Sequence, residues 1–174
     1  MESANARQSY WARNYTGWPR FSSFHPNIAH ITLAEWERKG KVKCLVTQNV
    51  DRLHHKAGSV NVYELHGTAF DVMCMSCQKK VSRHSFQNRI RKMNPHMSVI
   101  SQDIRPDGDV ELTQEDVDQF RVPSCDKCGG IMKPYIVFFG DNVPVDRVQK
   151  IREELSRCDG LLVVGSSLFV YSGY

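Results

Sequence analysis

Hydrophobic positions along the chain form two patterns: short apolar runs that end in polar or small residues, and longer stretches with apolar residues on one helical face. The short runs predict buried strands, and the amphipathic stretches predict helices. The predicted strands are 41–51, 60–65, 133–141 and 160–168. The predicted helices are 26–39, 85–93, 113–120 and 143–157, with a short turn or helix at 53–58 and a loop at 94–108. The order strand, helix, strand indicates an α/β fold with a parallel sheet.

Residues that begin or end helices lie at the edges of these stretches. Pro26 suits the first turn of a helix, and Gly40 is a natural end for it. Thr113 and Asp116 have the spacing of a capping box. Six aromatic side chains occur within residues 1–25, too many for an exposed tail, so we expect this segment to pack against the rest of the protein.

Four of the six cysteines occur as two Cys-x-x-Cys pairs. Two thiols spaced in this way can bind one metal ion from a tight turn, and two such turns complete the tetrahedron of donors that zinc needs. The alternative is two unrelated pairs of buried or redox-active thiols, because 47 residues separate the pairs, more than the usual spacing of roughly 15–20. We favour one closed structural zinc site with the ligands Cys74, Cys77, Cys125 and Cys128.

Composition and charge narrow the class of protein. The 174 residues are 41% hydrophobic and 24% charged, as in a globular protein of one domain, with or without a small appendage. The net charge of +4 is uneven, since residues 78–105 are basic and residues 106–119 are acidic. The basic stretch could bind nucleic acid, but its bases are not interleaved with aromatic residues apart from Phe86. We therefore favour a solvated helix face and do not expect a nucleic-acid partner.

The remaining cysteines and the apolar runs bear on location. Cys44 and Cys158 lie in apolar surroundings, so we interpret them as buried thiols rather than a disulfide, which weakly favours a reducing compartment. No apolar run approaches 18 residues, so no membrane span is predicted. The first residues lack the apolar core of a signal peptide and are too short for a convincing organelle presequence.

Two polar segments and one histidine could carry chemistry. Residues 48–51 offer two amides and a carboxylate, which could hydrogen-bond ribose hydroxyls or a carboxamide, or could only cap a turn. Residues 165–167 form a small-residue turn after a predicted strand, whose N–H groups could approach a sugar or phosphate, although many α/β loops look the same. His66 titrates near neutral pH and could be a general base, or a structural histidine.

Taken together, the segments resemble those of one family. The motifs TQNVD, LHG, CxxC, CxxCGG, VFFGD and VVGSSL occur in the order found in the sirtuins, the NAD-dependent protein lysine deacylases. The N-terminal segment RQSYWARNYTGWPRFSSFHPNIAH is similar to the mitochondrial class II members of the sirtuin-four type. The resemblance implies a Rossmann-like parallel sheet with an inserted small zinc-binding module. It divides the chain into a helical acyl-substrate and cofactor-loop region at 1–40, a partial NAD-binding domain at 41–68 and 132–174, and a zinc module at 69–131.

The resemblance also implies the chemistry, transfer of an acyl group from a protein lysine to the ADP-ribose of NAD with release of nicotinamide; ADP-ribosyl transfer and lipoamide cleavage are related activities. His66 would take a proton from the nicotinamide ribose. Val137 would bind the acyl-lysine Nε through its carbonyl, Phe139 would wall the substrate tunnel, and the strand around Gly140 would pair with the substrate backbone. The NAD-binding residues would be Gln48, Asn49, Val50, Asp51, Gly165, Ser166 and Ser167.

A Tyr-x-x-Arg pair in the N-terminal segment bears on the acyl group. In the sirtuins that remove acidic acyl groups, a pair with this spacing binds the acyl carboxylate, and an Arg–carboxylate contact is strong because it is charge-assisted. The resemblance therefore implies that Tyr10 and Arg13 bind substrate; the alternative is a packed tyrosine and a helix-surface arginine. By the same resemblance we expect a location in the mitochondrial matrix, with acylated proteins and NAD as partners.

The sequence also departs from the family pattern. The Gly-Ala-Gly-x-Ser turn and the following nicotinamide-covering loop are absent, and the chain stops at Tyr174, where the family continues with further strands. We therefore expect an incomplete Rossmann-like sheet and about half of the NAD-binding shell. Two functions stay open: a deacylase in the full-length product, or a catalytically inactive, zinc-stabilised binding module. A nucleic-acid-binding zinc ribbon is a more distant alternative.

Overall fold

The computed structural model describes residues 3–97 and 110–168. The helices are α1 Ala4–Ser23, α2 Ile28–Arg38, α3 Leu53–Lys56, α4 Arg83–Met93, α5 Gln114–Gln119 and α6 Val145–Leu155. The strands are β1 Leu45–Thr47, β2 Val62–Glu64, β3 Gly67–Cys74, β4 Lys80–Ser82 and β5 Met132–Ile136. Within the described residues, no helix is long and apolar enough to cross a membrane. Most of the predicted loop at 94–108 lies outside the described residues.

The chain divides into two compact units. Unit 1 comprises Met1–Phe24 and Ala69–Tyr135, and unit 2 comprises His25–Thr68 and Ile136–Tyr174. The region predicted at 1–40 contains both α1 and α2. Here α1 is grouped with the cysteine-containing segment, because its aromatic face is buried in the core of unit 1.

Helix α1 buries its aromatic residues at helical spacing. Trp11, Tyr15 and Trp18 are all less than 5% exposed, and their separations of three and four residues place them on one face. Pro19 lies inside the helix and has no N–H to give to the carbonyl of Tyr15 four residues earlier. The side-chain amide of Gln87, in α4, donates to that carbonyl instead, at 2.8 Å. The expectation that the N-terminal aromatic segment packs against the protein is confirmed.

The core of unit 1 joins α1 and α4 to a three-stranded sheet. The strand order is β4-β3-β5, and β3 pairs with β4 in the antiparallel direction, with Val72 opposite Val81. The indole N–H of Trp11 donates to the carbonyl of Met132 in β5 at 3.1 Å, and its ring lies 4.7 Å from that of Phe86. Strands β3 and β4 are not among the strands predicted from the sequence, in which 69–131 is assigned to a zinc module with short helices.

Unit 2 contains the parallel pair that the strand–helix–strand order predicts. Strands β1 and β2 pair in parallel, with Leu45 opposite Val62 and Thr47 opposite Glu64. Helix α2 begins at Ile28, two residues after the predicted start at Pro26, because Asn27 is its N-cap and forms a capping box with His30. Pro26 therefore precedes the cap, and the predicted end is observed, since Gly40 adopts a φ of +70°.

Two strand predictions are wrong in part. The strand predicted at 133–141 ends at Ile136, because a turn follows in which the N–H of Asp141 donates to the carbonyl of Phe138 at 2.9 Å. The strand predicted at 160–168 is not a strand in the described residues, and Leu161 and Leu162 are 71% and 65% exposed. A strand requires a hydrogen-bonded neighbour, and no described residue pairs with this segment.

The basic stretch is solvated in part: Arg91 and Lys92 on α4 are exposed, as predicted, whereas Arg83 is buried. Arg83 is 1% exposed; its guanidinium lies 4.7 Å from the Trp18 ring and donates to the side chain of Asn14. Lys79 forms an ion pair with Asp126 at 3.0 Å, and the Lys80 ammonium lies 3.7 Å from the Tyr135 ring. These bases contribute to the packing of unit 1, because an arginine or lysine can stack on an aromatic face while its charge stays hydrogen-bonded.

Candidate functional site: a cysteine cluster and a polar cavity

The two Cys-x-x-Cys pairs come together in unit 1. The four sulfur atoms all lie within 4.8 Å of one another, with 3.5 Å between Cys74 and Cys128 and 3.7 Å between Cys77 and Cys125. A tetrahedron of Zn–S bonds of about 2.3 Å has sulfur atoms about 3.8 Å apart. The cluster therefore fits one structural zinc ion, with all four coordination positions filled by protein.

Both pairs are held by the same kind of turn. The N–H of Gln78 donates to the carbonyl of Cys74 at 3.0 Å, and the N–H of Gly129 donates to the carbonyl of Cys125 at 2.9 Å. Gln78 and Gly129 both adopt a left-handed conformation, with φ of 57° and 72°. Each turn thus leaves the two thiols of its pair on the same side, facing the other pair.

Electrostatics and space favour metal binding at Cys74. The N–H of Cys77 donates to its sulfur and lowers the pKa of the Cys74 thiol to about 6, which favours the thiolate that a metal requires. A Cβ atom at Gly130 would lie 2.6 Å from Ser76 Oγ and 2.9 Å from Cys74 Sγ. The second turn can therefore approach the first only because position 130 has no side chain.

The two polar segments singled out in the sequence line one cavity in unit 2. The Gln48 side-chain amide donates to Ser166 Oγ at 3.1 Å, across 118 residues of sequence. Both residues line a cavity of about 500 Å³, a size suited to a small-molecule ligand. Asn49 and Gly165 also line it, and Gly165 has a φ of +66° with open space where a Cβ would be. Amides, a hydroxyl and an open glycine turn are donors and acceptors suited to ribose hydroxyls.

The other residues expected to bind NAD are not on the cavity wall. Asp51 accepts a hydrogen bond from the N–H of Leu53 at 2.9 Å, so its carboxylate caps the turn that leads into α3. This is the turn-capping alternative that the sequence leaves open. Val50 is half-buried beside it, and Ser167 is exposed next to Ser166.

His66 follows β2 at the carboxyl end of the parallel pair, where ligands bind in α/β sheets. Burial lowers the pKa of its imidazole, the Arg147 charge lowers it further, and a hydrogen bond to the Gln48 backbone opposes these effects. The main chain around His66 is held on both sides. Val137 N–H donates to the His66 carbonyl, and Arg147 Nη1 donates to the Leu65 carbonyl, both at 2.9 Å. A neutral imidazole at pH 7 can accept a proton.

The segment expected to bind substrate, residues 137–140, is far from His66 in the sequence but contacts it through a main-chain hydrogen bond. Val137 is placed by its hydrogen bond to His66, whereas Phe139 is 99% exposed and Gly140 occupies the turn with a φ of +88°. The strand expected around Gly140 is thus replaced by a turn. A tunnel wall formed by Phe139 stays a prediction.

Comparison with known proteins identifies the family. A match to the Sir2 family covers residues 1–172. The chain belongs to the Sir2 family. It is 52% identical over 174 residues to the NAD-dependent protein deacylase Sirt4 of Drosophila melanogaster, covering all of this chain and 56% of that protein. It is 51% identical to the NAD-dependent protein lipoamidase sirtuin-4, mitochondrial, of Homo sapiens, covering 55% of it. A solved Sir2–p53 peptide–NAD⁺ structure is similar with a TM-score of 0.65 and 34% identity, over 88% of this chain and 53% of that one.

The predicted Sir2 fold and family are confirmed by these comparisons. The chain spans about half the length of the curated relatives it matches. The activity of the whole protein, its substrates and its partners therefore belong to the proposals below.

Tyr10 and Arg13, the expected acyl-binding pair of this Sir2 chain, lie on α1 in unit 1. Tyr10 is half-buried, its ring 5.7 Å from that of Trp11, and burial raises the pKa of its hydroxyl. Arg13 is exposed and donates to the Ser9 hydroxyl at 3.0 Å. Their binding of an acyl carboxylate stays a prediction.

Two arginines that contact β2 or the residue after it are not among the residues singled out from the sequence. Arg147 lies in the predicted helix 143–157, and its contact with the Leu65 carbonyl has no local sequence signal. Arg52 directly follows the amide motif, after Asp51. It adopts a left-handed conformation, with φ of 57°, and its Nε lies 3.6 Å from the Glu64 carboxylate. A left-handed conformation is uncommon for a residue other than glycine, and the sequence has no local signal for it at this position.

Proposed function

We propose that this protein is an NAD-dependent protein lysine deacylase of the sirtuin-4 type. The observation that carries the proposal is the hydrogen bond between Gln48 and Ser166, which joins both predicted nucleotide segments on the wall of one cavity. The names of the relatives, a deacylase and a lipoamidase that depend on NAD, support the same activity.

The residues present fit the nucleotide. The Asn49 side chain and Ser166 offer hydrogen-bonding groups for sugar hydroxyls, and Gly165 leaves its backbone open to a close approach. When bound, NAD supplies the ribose that receives the acyl group and the nicotinamide that leaves. The lowered pKa of His66 keeps its imidazole neutral, so that it can take a proton from a ribose hydroxyl. The contacts of Val137 and Arg147 hold the main chain of this histidine in place.

The same proposal includes the structural zinc ion at the four cysteines, a mitochondrial location and acylated protein lysines as substrates. The location rests on the mitochondrial name of a relative. Two acyl classes compete: lipoyl, which the name of that relative suggests, and acids such as glutaryl, which Tyr10 and Arg13 would favour.

The test is a deacylation assay of the full-length protein with NAD and peptides that carry lipoyl-, glutaryl- or acetyl-lysine. The account predicts turnover of at least one peptide that depends on NAD, and its loss in a His66→Tyr variant that still contains zinc. His96→Tyr is the matched control, because His96 is exposed in unit 1, and it should keep activity. Turnover retained by His66→Tyr would remove His66 from the mechanism. Absence of NAD-dependent turnover with every peptide would contradict the proposed function.

A further inference from the structure

Two cationic side chains of the basic stretch contact the second cysteine turn, one on each side of Cys125. Arg89, in α4, donates from Nη2 to the carbonyl of Ser124 at 2.6 Å, directly before Cys125. Lys79 donates to both carboxylate oxygens of Asp126 at 3.0 Å, directly after Cys125. This zinc ligand therefore lies between two residues that each accept a hydrogen bond from a cation.

Lys79 also belongs to the first cysteine turn. Its carbonyl accepts the N–H of Cys74 at 2.9 Å, while its ammonium reaches Asp126 across 47 residues of sequence. One residue thus connects the main chain of the first turn to a side chain of the second turn. Because the connection consists of protein atoms alone, it restrains the two pairs of thiols independently of the metal.

Arg89 is a half-buried cation that has no ion pair in the described part of the chain. Its Nη1 is enclosed and has no hydrogen-bond partner among the same residues, and its guanidinium lies 5.6 Å from the Phe86 ring. Removing a charge from water is costly unless an opposite charge compensates it. Four thiolates and one divalent zinc ion together carry two negative charges, so the cluster that follows Ser124 supplies the opposite charge.

We propose that Arg89 and Lys79 form a cationic shell of the zinc cluster, and that this shell slows the loss of zinc from the four thiolates. Cations beside a cysteine favour the thiolate that binds metal. Contacts outside the ligands also orient them, and their loss typically costs about 10- to 100-fold in metal affinity. The inference rests on the zinc site of the proposed function and is independent of NAD and of acyl transfer.

The two cations differ in exposure, and this difference gives each a distinct dependence on salt. The side chains of Lys79 and Asp126 are 39% and 52% exposed, so salt should screen their ion pair. Loss of such an exposed pair should speed zinc release by no more than about fivefold. The half-buried Arg89 is screened less, and its loss should speed zinc release by about tenfold at low and at high salt.

The test is the rate of zinc transfer from the zinc-loaded, full-length protein to a chromogenic chelator, at about 0.01 M and about 1 M salt. Each variant is expressed as a ratio to wild type at the same salt concentration. Lys79→Met should be faster than wild type at low salt only, and Arg89→Met should be faster at both. Arg89→Lys and Lys79→Arg keep the charge and should lie closer to wild type. The controls Arg91→Met and Lys92→Met remove exposed charges of the same helix and should match wild type.

Equal rates for Arg89→Met and Arg91→Met, or for Lys79→Met and Lys92→Met, would overturn the shell. An effect of Lys79→Met that persists unchanged at high salt would show that Lys79 acts through packing rather than charge, which also overturns it. The exposed Lys79 position keeps the inference falsifiable if Arg89→Met does not fold. Wild-type protein without zinc would overturn the zinc site itself, whereas zinc-loaded protein without NAD-dependent turnover would contradict only the proposed activity.

Discussion

Replacement of Trp11 by phenylalanine should destabilise unit 1 far more than the same replacement at an exposed tryptophan. Trp11 is fully buried, and its indole N–H donates to the carbonyl of Met132, which is itself 1% exposed. Phenylalanine keeps a ring against Phe86 but has no donor. The buried carbonyl then loses a partner, at a cost of about 1–3 kcal/mol.

The matched substitutions set the scale. Trp11→Ala also removes the ring, and the cavity should raise the loss to about 3–5 kcal/mol. Trp36 is 38% exposed on α2, so Trp36→Phe should change the free energy of unfolding by less than about 0.5 kcal/mol. With a slope of roughly 1–3 kcal/mol/M in urea, Trp11→Phe should lower the unfolding midpoint by about 1 M.

The assay is urea unfolding of the zinc-loaded protein, followed by far-ultraviolet circular dichroism. Hydrogen exchange of the amides in α1 and β5 assigns the loss to unit 1. Equal midpoints for Trp11→Phe and Trp36→Phe would refute the assignment of Trp11 as the aromatic centre of this core.

Three further predictions concern the zinc cluster, the base and the acyl group. Cys125→Ser should release zinc, and Gly130→Ala should speed zinc transfer to a chelator because its Cβ meets Cys74 Sγ at 2.9 Å. The control Gly160→Ala, whose Cβ has nothing within 4 Å, should leave the rate of zinc transfer unchanged. Equal rates of zinc release from the two variants would exclude close packing of Gly130 against the zinc cluster. Arg147→Gln removes a positive charge that lowers the pKa of His66, so the acidic limb of the profile of kcat/KM against pH should move to higher pH. The control Arg147→Lys keeps the charge and should leave this limb near its original position. An unchanged limb in Arg147→Gln would contradict the electrostatic contribution of Arg147. Arg13→Met should lower kcat/KM for a glutaryl-lysine peptide by roughly 10- to 100-fold, the loss of a hydrogen bond to a charged group; an equal loss with acetyl-lysine would show that Arg13 is structural.

The zinc site could be predicted from the sequence because its information is local. Each Cys-x-x-Cys turn places two thiols by itself, so spacing alone predicts the ligands. The cluster in unit 1 has the predicted composition. The 47 residues between the pairs, whose number argues against a single site in the sequence, include β4, α4 and α5.

Which apolar runs become strands could not be predicted in full, because a strand depends on distant partners. The apolar residues at 161–164 have strand character, yet in the described part of the chain they have no ladder partner. The segment at 133–141 is equally apolar, but Gly140 and the Phe138–Asp141 turn end its strand early. Period and composition do not show whether a neighbouring strand is available.

The polar cavity is an intermediate case. Amide and glycine motifs predict its residues, and the bond between Gln48 and Ser166 brings two of those motifs together. The contact of Arg147 with the Leu65 carbonyl spans 82 residues and leaves no pattern in the sequence. Such contacts between a helix side chain and a distant carbonyl depend on tertiary packing alone.

The central claim is that the cavity of unit 2 binds NAD, and calorimetric titration of the zinc-loaded, full-length protein with NAD tests it most directly. The account predicts saturable binding of one NAD, weakened about three- to tenfold in Asn49→Ala by loss of a hydrogen bond. Asn88→Ala should leave the affinity unchanged, because Asn88 is exposed on α4 in unit 1. The absence of NAD binding by the folded, zinc-containing protein, or equal weakening by both substitutions, would contradict the account.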